Sequence, residues 1–303
     1  MRVSYGERSR WPILFAFGLV IFVAPGAVHA QQGAPKVKIG LPANLFRDIP
    51  RTTIDFLMPT FAKLMQAETG LHGEAILLTG PDEVSAQLAD NKVQLAVFHG
   101  FEFAWAQNKH KELRPLVIAV SQNPTLTAEV VVAKDSSITR LEDLQGQKIA
   151  IPKGTREHAR LFLARRTQRM GHRQEKFFAA ITTPQTVAAA LDDVANGRVQ
   201  AIVVDGAALA NFKWANPGKA AKLRTLVQSE TFPTGVIAYR EGGMSQADLK
   251  KFKDGLLGAH ERADGQQLMQ LWKMTKFEEI PADYHQLLSN IVQAYPPPIG
   301  DEP

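Results

Sequence analysis

The stretch Asn91-Lys-Val-Gln-Leu-Ala-Val-Phe-His-Gly100 returns in modified form as Gly197-Arg-Val-Gln-Ala-Ile-Val-Val-Asp-Gly206. Each copy follows a helix-like segment, continues through Val-Gln into an apolar run of strand length, and ends in a polar residue and a glycine. Two related α/β units that face one another explain the repeat, and a chance recurrence of a common unit is the alternative. In the first case His99 and Asp205 occupy equivalent strand ends beside a cleft, where α/β proteins bind ligands.

Segments of strand length alternate with amphipathic helical segments along most of the chain, beginning at Lys36. This alternation predicts α/β layers around mainly parallel sheets. Three helices are predicted near the C-terminal end, starting at Ser245, Asp264 and Ala282. The proline-rich tail from Tyr295 is predicted to be disordered.

The first thirty residues have the order of a secretory signal peptide. Three arginines precede the apolar run Pro12–Ala24, and the small residues of Val28-His29-Ala30 stand before Gln31. The run is shorter than the roughly 20 residues that a membrane-spanning helix needs. An uncleaved anchor is the alternative, which Pro25-Gly26 directly after the run disfavours. We therefore expect residues 1–30 to be a cleaved signal peptide.

The composition of the remaining chain limits its partners. Without residues 1–30 the formal charge is +3, from 32 basic and 29 acidic residues, and the chain has no cysteine. A balanced charge gives no reason to expect nucleic acid or a membrane surface as partner. The lack of cysteine excludes disulfides, thiol catalysis and a lipid-modified N-terminal cysteine. We expect a free monomer in a Gram-negative periplasm, with no nucleic-acid partner.

Three segments resemble the phosphate- and phosphonate-binding components of ABC transporters, a branch of the type 2 periplasmic binding proteins. They are Val93-Gln-Leu-Ala-Val-Phe98, the Lys134-Asp-Ser to Lys148 pattern with Leu-Glu-Asp-Leu-Gln-Gly inside it, and Ala188–Val204. The resemblance runs from about Lys38 to Tyr295. It implies a two-lobed α/β fold, each lobe a mainly parallel sheet flanked by helices, with the ligand cleft between the lobes.

The resemblance also implies an order of the lobes along the chain. Lobe 1 comprises residues 36–125 and 231–303, and lobe 2 comprises residues 126–230. Two crossings, near Pro124–Val131 and Ser229–Gly235, then act as the hinge that lets the lobes close on a solute.

The chain departs from the family's pattern at the first helix of lobe 2. Phosphonate-binding members usually carry a Ser-Thr-Ser-Gly-like turn there, whose hydroxyl and amide groups bind the oxyanion. Here the turn reads Lys153-Gly-Thr-Arg-Glu-His158. The departure predicts that the chain keeps the family's fold but has a different ligand pocket. We expect that this pocket does not bind simple alkylphosphonates tightly.

The rebuilt turn supplies four candidate ligand-binding residues, Gly154, Thr155, Arg156 and Glu157. Backbone N–H groups at a helix start favour an anion, and Arg156 can add a two-pronged hydrogen bond to a carboxylate or phosphate. Glu157 can instead cap its helix or contact a ligand amine. An ordinary solvated loop is the alternative for the whole turn.

The remaining candidates follow strand ends. His99 and Glu102 are expected either to contact the solute beside an aromatic wall or to belong to a satisfied core. Asp205 is expected to accept from a hydroxyl or amine of the solute, or simply to cap the next helix. Three further candidates rest on topology alone, because they follow the first two predicted strands: Asn44, Phe46 and Thr79.

Enzyme signatures are not found in the sequence. It has no Gly-x-Ser-x-Gly, no His-Glu-x-x-His and no glycine-rich phosphate loop. His99, Glu102, His158 and Asp205 can converge on a metal, but their spacing matches no metal motif. We therefore expect no catalysis, no cofactor and no metal.

The sequence thus predicts a periplasmic protein that captures a small anionic or zwitterionic solute for an ABC importer, with the inner-membrane permease as its partner. A sensor that presents the closed form to a receptor kinase is one alternative, and a metal carrier is another. The neighbouring genes distinguish the first two functions, since they encode either a permease and an ATPase or a kinase.

Overall fold

The structure is a computed structural model that describes residues 37–298, except Asp48, Gln122 and Lys273. The predicted signal peptide, residues 1–30, lies outside these residues. The described strands are β1 (Val37–Pro42), β2 (Gly73–Leu78), β3 (Leu95–Phe98), β4 (Leu113–Val120), β5 (Thr125–Leu126), β6 (Ala128–Ala133), β7 (Lys148–Ala150), β8 (Ala180–Thr182), β9 (Ala201–Asp205), β10 (Leu223–Gln228), β11 (Phe232–Pro233), β12 (Gly235–Arg240) and β13 (Lys276–Glu278).

The described α-helices are α1 (Arg51–Thr69), α2 (Pro81–Ala89), α3 (Gly100–Lys109), α4 (Glu157–Arg169), α5 (Gln174–Phe177), α6 (Val187–Ala195), α7 (Gly206–Ala215), α8 (Pro217–Ala220), α9 (Gln246–Leu257), α10 (Ala263–Leu271) and α11 (Tyr284–Ala294). Single 3-10 turns span Ala43–Phe46, Leu141–Leu144 and Ala259–Glu261.

Two sheets carry the fold. The larger has the strand order β13-β4-β12-β3-β1-β2 and the smaller has the order β10-β6-β9-β7-β8. Strands β1 to β4 run in one direction, with β12 and β13 against them, and in the smaller sheet β6 runs against the other four strands. Helices cover both sheets, so the predicted α/β class is confirmed. Most strands of each sheet point the same way, but β12 and β13 in the larger sheet and β6 in the smaller one run in the opposite direction, so both sheets are mixed.

The chain passes between the sheets twice within the described residues, and the two passages pair as the antiparallel ribbon β5–β11. The first passage leads into β6, whose Ala128 pairs with Asp205 at the carboxyl end of β9. The second leads into β12, whose Val236 pairs with Phe98 at the carboxyl end of β3. The carboxyl ends of both sheets therefore meet at the ribbon, which places the strand ends of the two sheets around one cleft.

The repeated motif has the same structural role in both sheets. Gln94 accepts a hydrogen bond from a backbone N–H of β1 at 3.0 Å, and Gln200 accepts the matching bond from β7 at 3.1 Å. Asn91 and Gly197 end the preceding helical segments with φ angles of 57° and 71°, both left-handed. This shared geometry gives the sequence repeat a physical basis.

Each copy of the motif ends in a glycine that packs against one passage of the chain. A Cβ on Gly100 would lie 2.4 Å from the carbonyl oxygens of Pro233 and Thr234. A Cβ on Gly206 would lie 2.2 Å from Oγ1 of Thr127. Both helix starts therefore approach the ribbon closely, which only a residue without a side chain permits.

The prediction of a disordered tail is wrong at its first residue, Tyr295. Its side chain is fully buried, its ring lies 4.7 Å from that of Phe232, and its hydroxyl donates to Glu230. Its carbonyl accepts a 2.7 Å hydrogen bond from Nε1 of Trp105. The proline-rich composition suggested disorder, but the aromatic ring of Tyr295 packs against the second passage.

Candidate functional site

A cavity of about 320 Å³ lies between the carboxyl ends of the two sheets. The larger sheet contributes Ser121, directly after β4, and Thr275, directly before β13. The smaller sheet contributes the turn Gly154–Arg156 before α4, and Asp205 at the end of β9. Four of the sequence-predicted residues thus line one cavity.

Arg156 spans the cavity from one sheet to the other. Its Nη2 donates to Oγ of Ser121 at 2.8 Å. Because Ser121 accepts this hydrogen bond, its own hydroxyl can donate to an anion held by Arg156. Thr155 is buried, and its hydroxyl donates to the carbonyl of Pro152 at 2.7 Å. In this turn the guanidinium is therefore the group best placed to bind an anion.

Asp205 caps α7. Its Oδ1 accepts from the backbone N–H groups of Ala207 and Ala208 at 3.0 and 3.1 Å. Nε2 of His158 lies 3.2 Å from its Oδ2 and 3.1 Å from the carbonyl oxygen of Thr127. Burial raises the pKa of Asp205, but the His158 hydrogen bond and the nearby Arg156 outweigh it, so the pKa lies below its ordinary value. The cavity therefore contains both an ionised carboxylate and a guanidinium.

Asn44, His99 and Glu102 form a buried polar cluster in the larger sheet's half of the cleft. Nδ2 of Asn44 donates to Oε1 of Glu102 at 2.5 Å, and the backbone N–H of His99 donates to Oε2 at 3.1 Å. Oδ1 of Asn44 and Nε2 of His99 are buried without a hydrogen-bond partner among the described residues. Asn44, His99 and Glu102 are not among the residues that line the cavity.

Burial moves the pKa values of this cluster in opposite directions. Burial raises the pKa of Glu102 to about 7, although its hydrogen bonds from Asn44 and His99 favour the ionised form. Burial lowers the pKa of His99 to about 4; the charge of Glu157 opposes this shift, and the charges of Arg156 and Arg47 assist it. His99 is therefore neutral at pH 7, and Glu102 keeps its proton below about pH 7.

These shifts predict the pH dependence of stability. The folded state retains a proton on Glu102 that the unfolded state loses above the ordinary glutamate pKa of 4.5, so the stabilisation is lost as pH rises towards about 7. In Glu102→Gln this loss is removed, so the unfolding free energy of the variant relative to wild type should increase by about 3 kcal/mol between pH 4.5 and 7. Denaturant unfolding across this range measures it.

His99 supplies the internal control, because its folded pKa is lowered. Wild type loses stability as pH falls from 6.5 to about 4, and His99→Asn should not. The two variants should therefore deviate from wild type with opposite pH slopes. A difference that is constant with pH for Glu102→Gln would show that Glu102 does not titrate in this range.

One ion pair joins the two halves of the cleft. Arg47, after β1, pairs with Glu157, the first residue of α4, through its Nε and through an Nη2–Oε2 contact of 3.0 Å. The Glu157 side chain is 13% exposed and the Arg47 side chain is 48% exposed. Glu157 thus bridges the sheets at the edge of the cleft and does not line the cavity.

The structure places two candidates elsewhere. Phe46 is a core residue, with its ring 5.1 Å from that of Trp272, so it does not line the cavity. Thr79 is exposed, and its backbone N–H and hydroxyl both donate to Glu83 at the start of α2. Topology alone suggested both residues, because they follow strand ends, but neither side chain points to the cleft.

Sequence reasoning missed part of the cavity wall. Ser121 ends a predicted strand. It could have been found in the same way as His99, because both are polar residues at strand ends. Met274 and Thr275 precede the three-residue strand β13, which carries no recognisable pattern. The other missed residues lie at the end of β9 and in α6 and α7, and all but the polar Asn211 have small or apolar side chains: Val187, Val204, Ala207, Ala208 and Asn211.

The described part of the chain lacks two further features. No three His, Asp or Glu side chains there are grouped so that they could hold a metal ion. No helix within residues 37–298 is both long and apolar enough to cross a membrane.

Comparison with known proteins identifies the family. The family model of the periplasmic substrate-binding proteins of ABC phosphonate transporters matches residues 52–284. The chain belongs to this family. Its resemblance to phosphonate-binding components, first noted in the sequence, is thereby confirmed. Members of the family are periplasmic, bind a small molecule and serve an ABC transporter.

Solved structures show the same two-lobed fold at low sequence identity. A Xanthomonas citri protein, solved with chloride and with ATP, is 15% identical with a TM-score of 0.56, over 86% of this chain and 96% of that one. A binding component of a Pseudomonas aeruginosa phosphonate transporter is 16% identical with a TM-score of 0.53, over 86% of each chain. The methylphosphonate complex of PhnD1 from Prochlorococcus marinus is 14% identical with a TM-score of 0.52, over 85% and 97%. A search of curated proteins found no match.

Proposed function

We propose that this family member captures a small anionic or zwitterionic solute in the cleft and delivers it, without catalysis, to the permease of an ABC importer. The observation that carries the proposal is the cavity between the two sheets, which Arg156 spans to reach Ser121. A solute anion on Arg156 contacts both halves of the protein at once, so it binds the closed form best and shifts the population towards closure.

The charges in the cavity define what the solute carries. Arg156 and the Ser121 hydroxyl donate to its anionic group, as charge-assisted hydrogen bonds. Asp205, ionised and lining the same cavity, accepts from an amine or hydroxyl when the solute has one. This combination favours anions and zwitterions over cations.

The lobe bounds proposed are residues 36–125 with 231–303 for lobe 1, and residues 126–230 for lobe 2. They are supported by the membership of the sheets, since strands from residues 128–228 build the smaller sheet and the larger one uses strands on either side. Closure is proposed to occur by bending at the β5–β11 ribbon, with the protein acting as a monomer.

The Arg47–Glu157 pair should favour the closed form, because it joins lobe 1 to lobe 2. An exposed ion pair contributes up to about 1 kcal/mol, so Arg47→Ala should weaken solute binding by up to about fivefold, and the effect should shrink at high salt. Calorimetry at two salt concentrations measures it. Arg51→Ala is the matched control, since Arg51 pairs with Asp55 inside α1 at 2.9 Å. Equal affinities of the two variants would rule out the role of the pair.

A thermal-shift screen of oxyanions, phosphonates, carboxylates, amino acids and amines tests the proposed function. A solute present at 100 times its Kd should add about 2.7 kcal/mol of stability. We expect no nanomolar binding of simple alkylphosphonates, because the Thr155 hydroxyl already donates to Pro152. Stabilisation by cations alone would contradict the proposal.

Export through a cleaved signal peptide is part of the proposal. Mature protein from the periplasm should begin within a few residues of Gln31, as N-terminal sequencing or intact-mass measurement shows. Periplasmic protein that retains Met1 would contradict it.

A further inference from the structure

The cavity has an apolar wall in addition to its charged groups. Val187 from the first turn of α6, Ala207 and Ala208 from the first turn of α7, and Met274 from the segment before β13 all line it. The first three belong to the smaller sheet's half of the cleft and Met274 belongs to the other half. An apolar group in the cavity therefore meets side chains from both sides.

The first turn of α7 offers methyl groups in place of hydrogen-bond donors, and the polar Asn211 lines the cavity one turn later. The N–H groups of Ala207 and Ala208 are those that would hold an anion at a helix start, but both donate to Oδ1 of Asp205. An oxyanion placed against α7 would also meet the Asp205 carboxylate. The anionic head therefore belongs at Arg156, and the α7 side suits the rest of the solute.

The size of the cavity points the same way. A volume of about 320 Å³ lies within the range of about 300–1,000 Å³ that is usual for pockets that bind small organic molecules. The part of the cavity away from Arg156 is lined mainly by apolar side chains, which suit an organic group better than a bare inorganic oxyanion.

We propose that the solute is an organic anion with its charged head on Arg156 and an apolar part on Val187, Ala207, Ala208 and Met274. This inference rests on the proposed function. It adds the requirement that the solute has an apolar part, which an anion-binding cleft alone does not need. Apolar surface buried on this wall contributes to affinity in proportion to its area.

Two homologous series of probes test the inference: linear carboxylates from acetate to hexanoate, and linear sulfonates from methanesulfonate to pentanesulfonate. For wild type, affinity measured by ligand-observed NMR should increase about fourfold per added methylene, the equivalent of about 0.8 kcal/mol, until the wall is covered. In Ala208→Leu, which fills the space, the gain in affinity with chain length should be lost.

Ala210→Leu is the matched control, because Ala210 is exposed on the same helix and does not line the cavity. It should retain the chain-length gain. Val187→Thr, which keeps the shape and adds a hydroxyl, should reduce the gain even if Ala208→Leu folds poorly. Affinity that is independent of chain length would overturn the inference and leave the anion-binding function intact. Binding of no anion or zwitterion in the screen would overturn the function, and the inference with it.

Discussion

Replacing Gly100 with alanine should destabilise the protein by about 3 kcal/mol, the upper end of the usual range for overpacking. The added Cβ would lie 2.4 Å from two backbone carbonyl oxygens, those of Pro233 and Thr234. Neither oxygen can rotate away, so the second passage of the chain must move. Because this passage holds the lobes together, solute binding should weaken as well. Denaturant unfolding with a solute titration measures both effects.

Gly206 and Gly218 provide the comparison. The obstacle at Gly206 is the Thr127 hydroxyl, so Thr127→Ala should restore most of the stability that Gly206→Ala loses. No single side-chain change can do this for Gly100→Ala. At Gly218 nothing lies within 4 Å, so Gly218→Ala should be neutral or slightly stabilising. A Gly100→Ala protein as stable as Gly218→Ala would refute the close approach of α3 to the ribbon.

Arg156→Ala should weaken solute binding roughly tenfold to 150-fold, which corresponds to about 1.5–3 kcal/mol for a hydrogen bond to a charged group. The variant removes the only guanidinium among the described residues that line the cavity, and it also breaks the contact with Ser121. Calorimetry with the solute found by the screen measures the loss.

Two further variants separate the role of Arg156 from the general charge of the turn. Arg156→Lys retains a cation without the planar fork, so it should recover only part of the affinity. Lys153→Ala removes an exposed cation from the same turn and should bind as wild type does. If Arg156→Ala and Lys153→Ala bind equally well, Arg156 does not hold the solute.

The sequence predicts the alternation of strands and helices well, because the apolar periodicity within each segment indicates whether it is a strand or a helix. It also places His99 and Asp205 at equivalent positions, since the repeat around them preserves the structural role of Gln94 and Gln200. The short strands β5, β11 and β13 could not be predicted, because two or three residues carry no period. They form only because distant parts of the chain pair there.

Side-chain direction limits the prediction of the site in the same way. Strand order identifies which loops reach the cleft, but it does not decide whether Phe46 faces the core or Asp205 caps its helix. Both outcomes depend on contacts from other segments: Trp272 for Phe46, and His158 for Asp205. The rebuilt turn is the exception. Its position between a strand and a helix is enough to predict that Arg156 lies at the site.

Small-angle scattering of the mature protein, with and without the solute found by the screen, tests the central claim most directly. Capture between two lobes predicts a smaller radius of gyration at saturating solute. At a solute concentration only a few times the wild-type Kd, the decrease should be much smaller for Arg156→Ala than for wild type. A radius of gyration that stays the same in wild type while calorimetry shows full occupancy would contradict closure of the lobes on the solute.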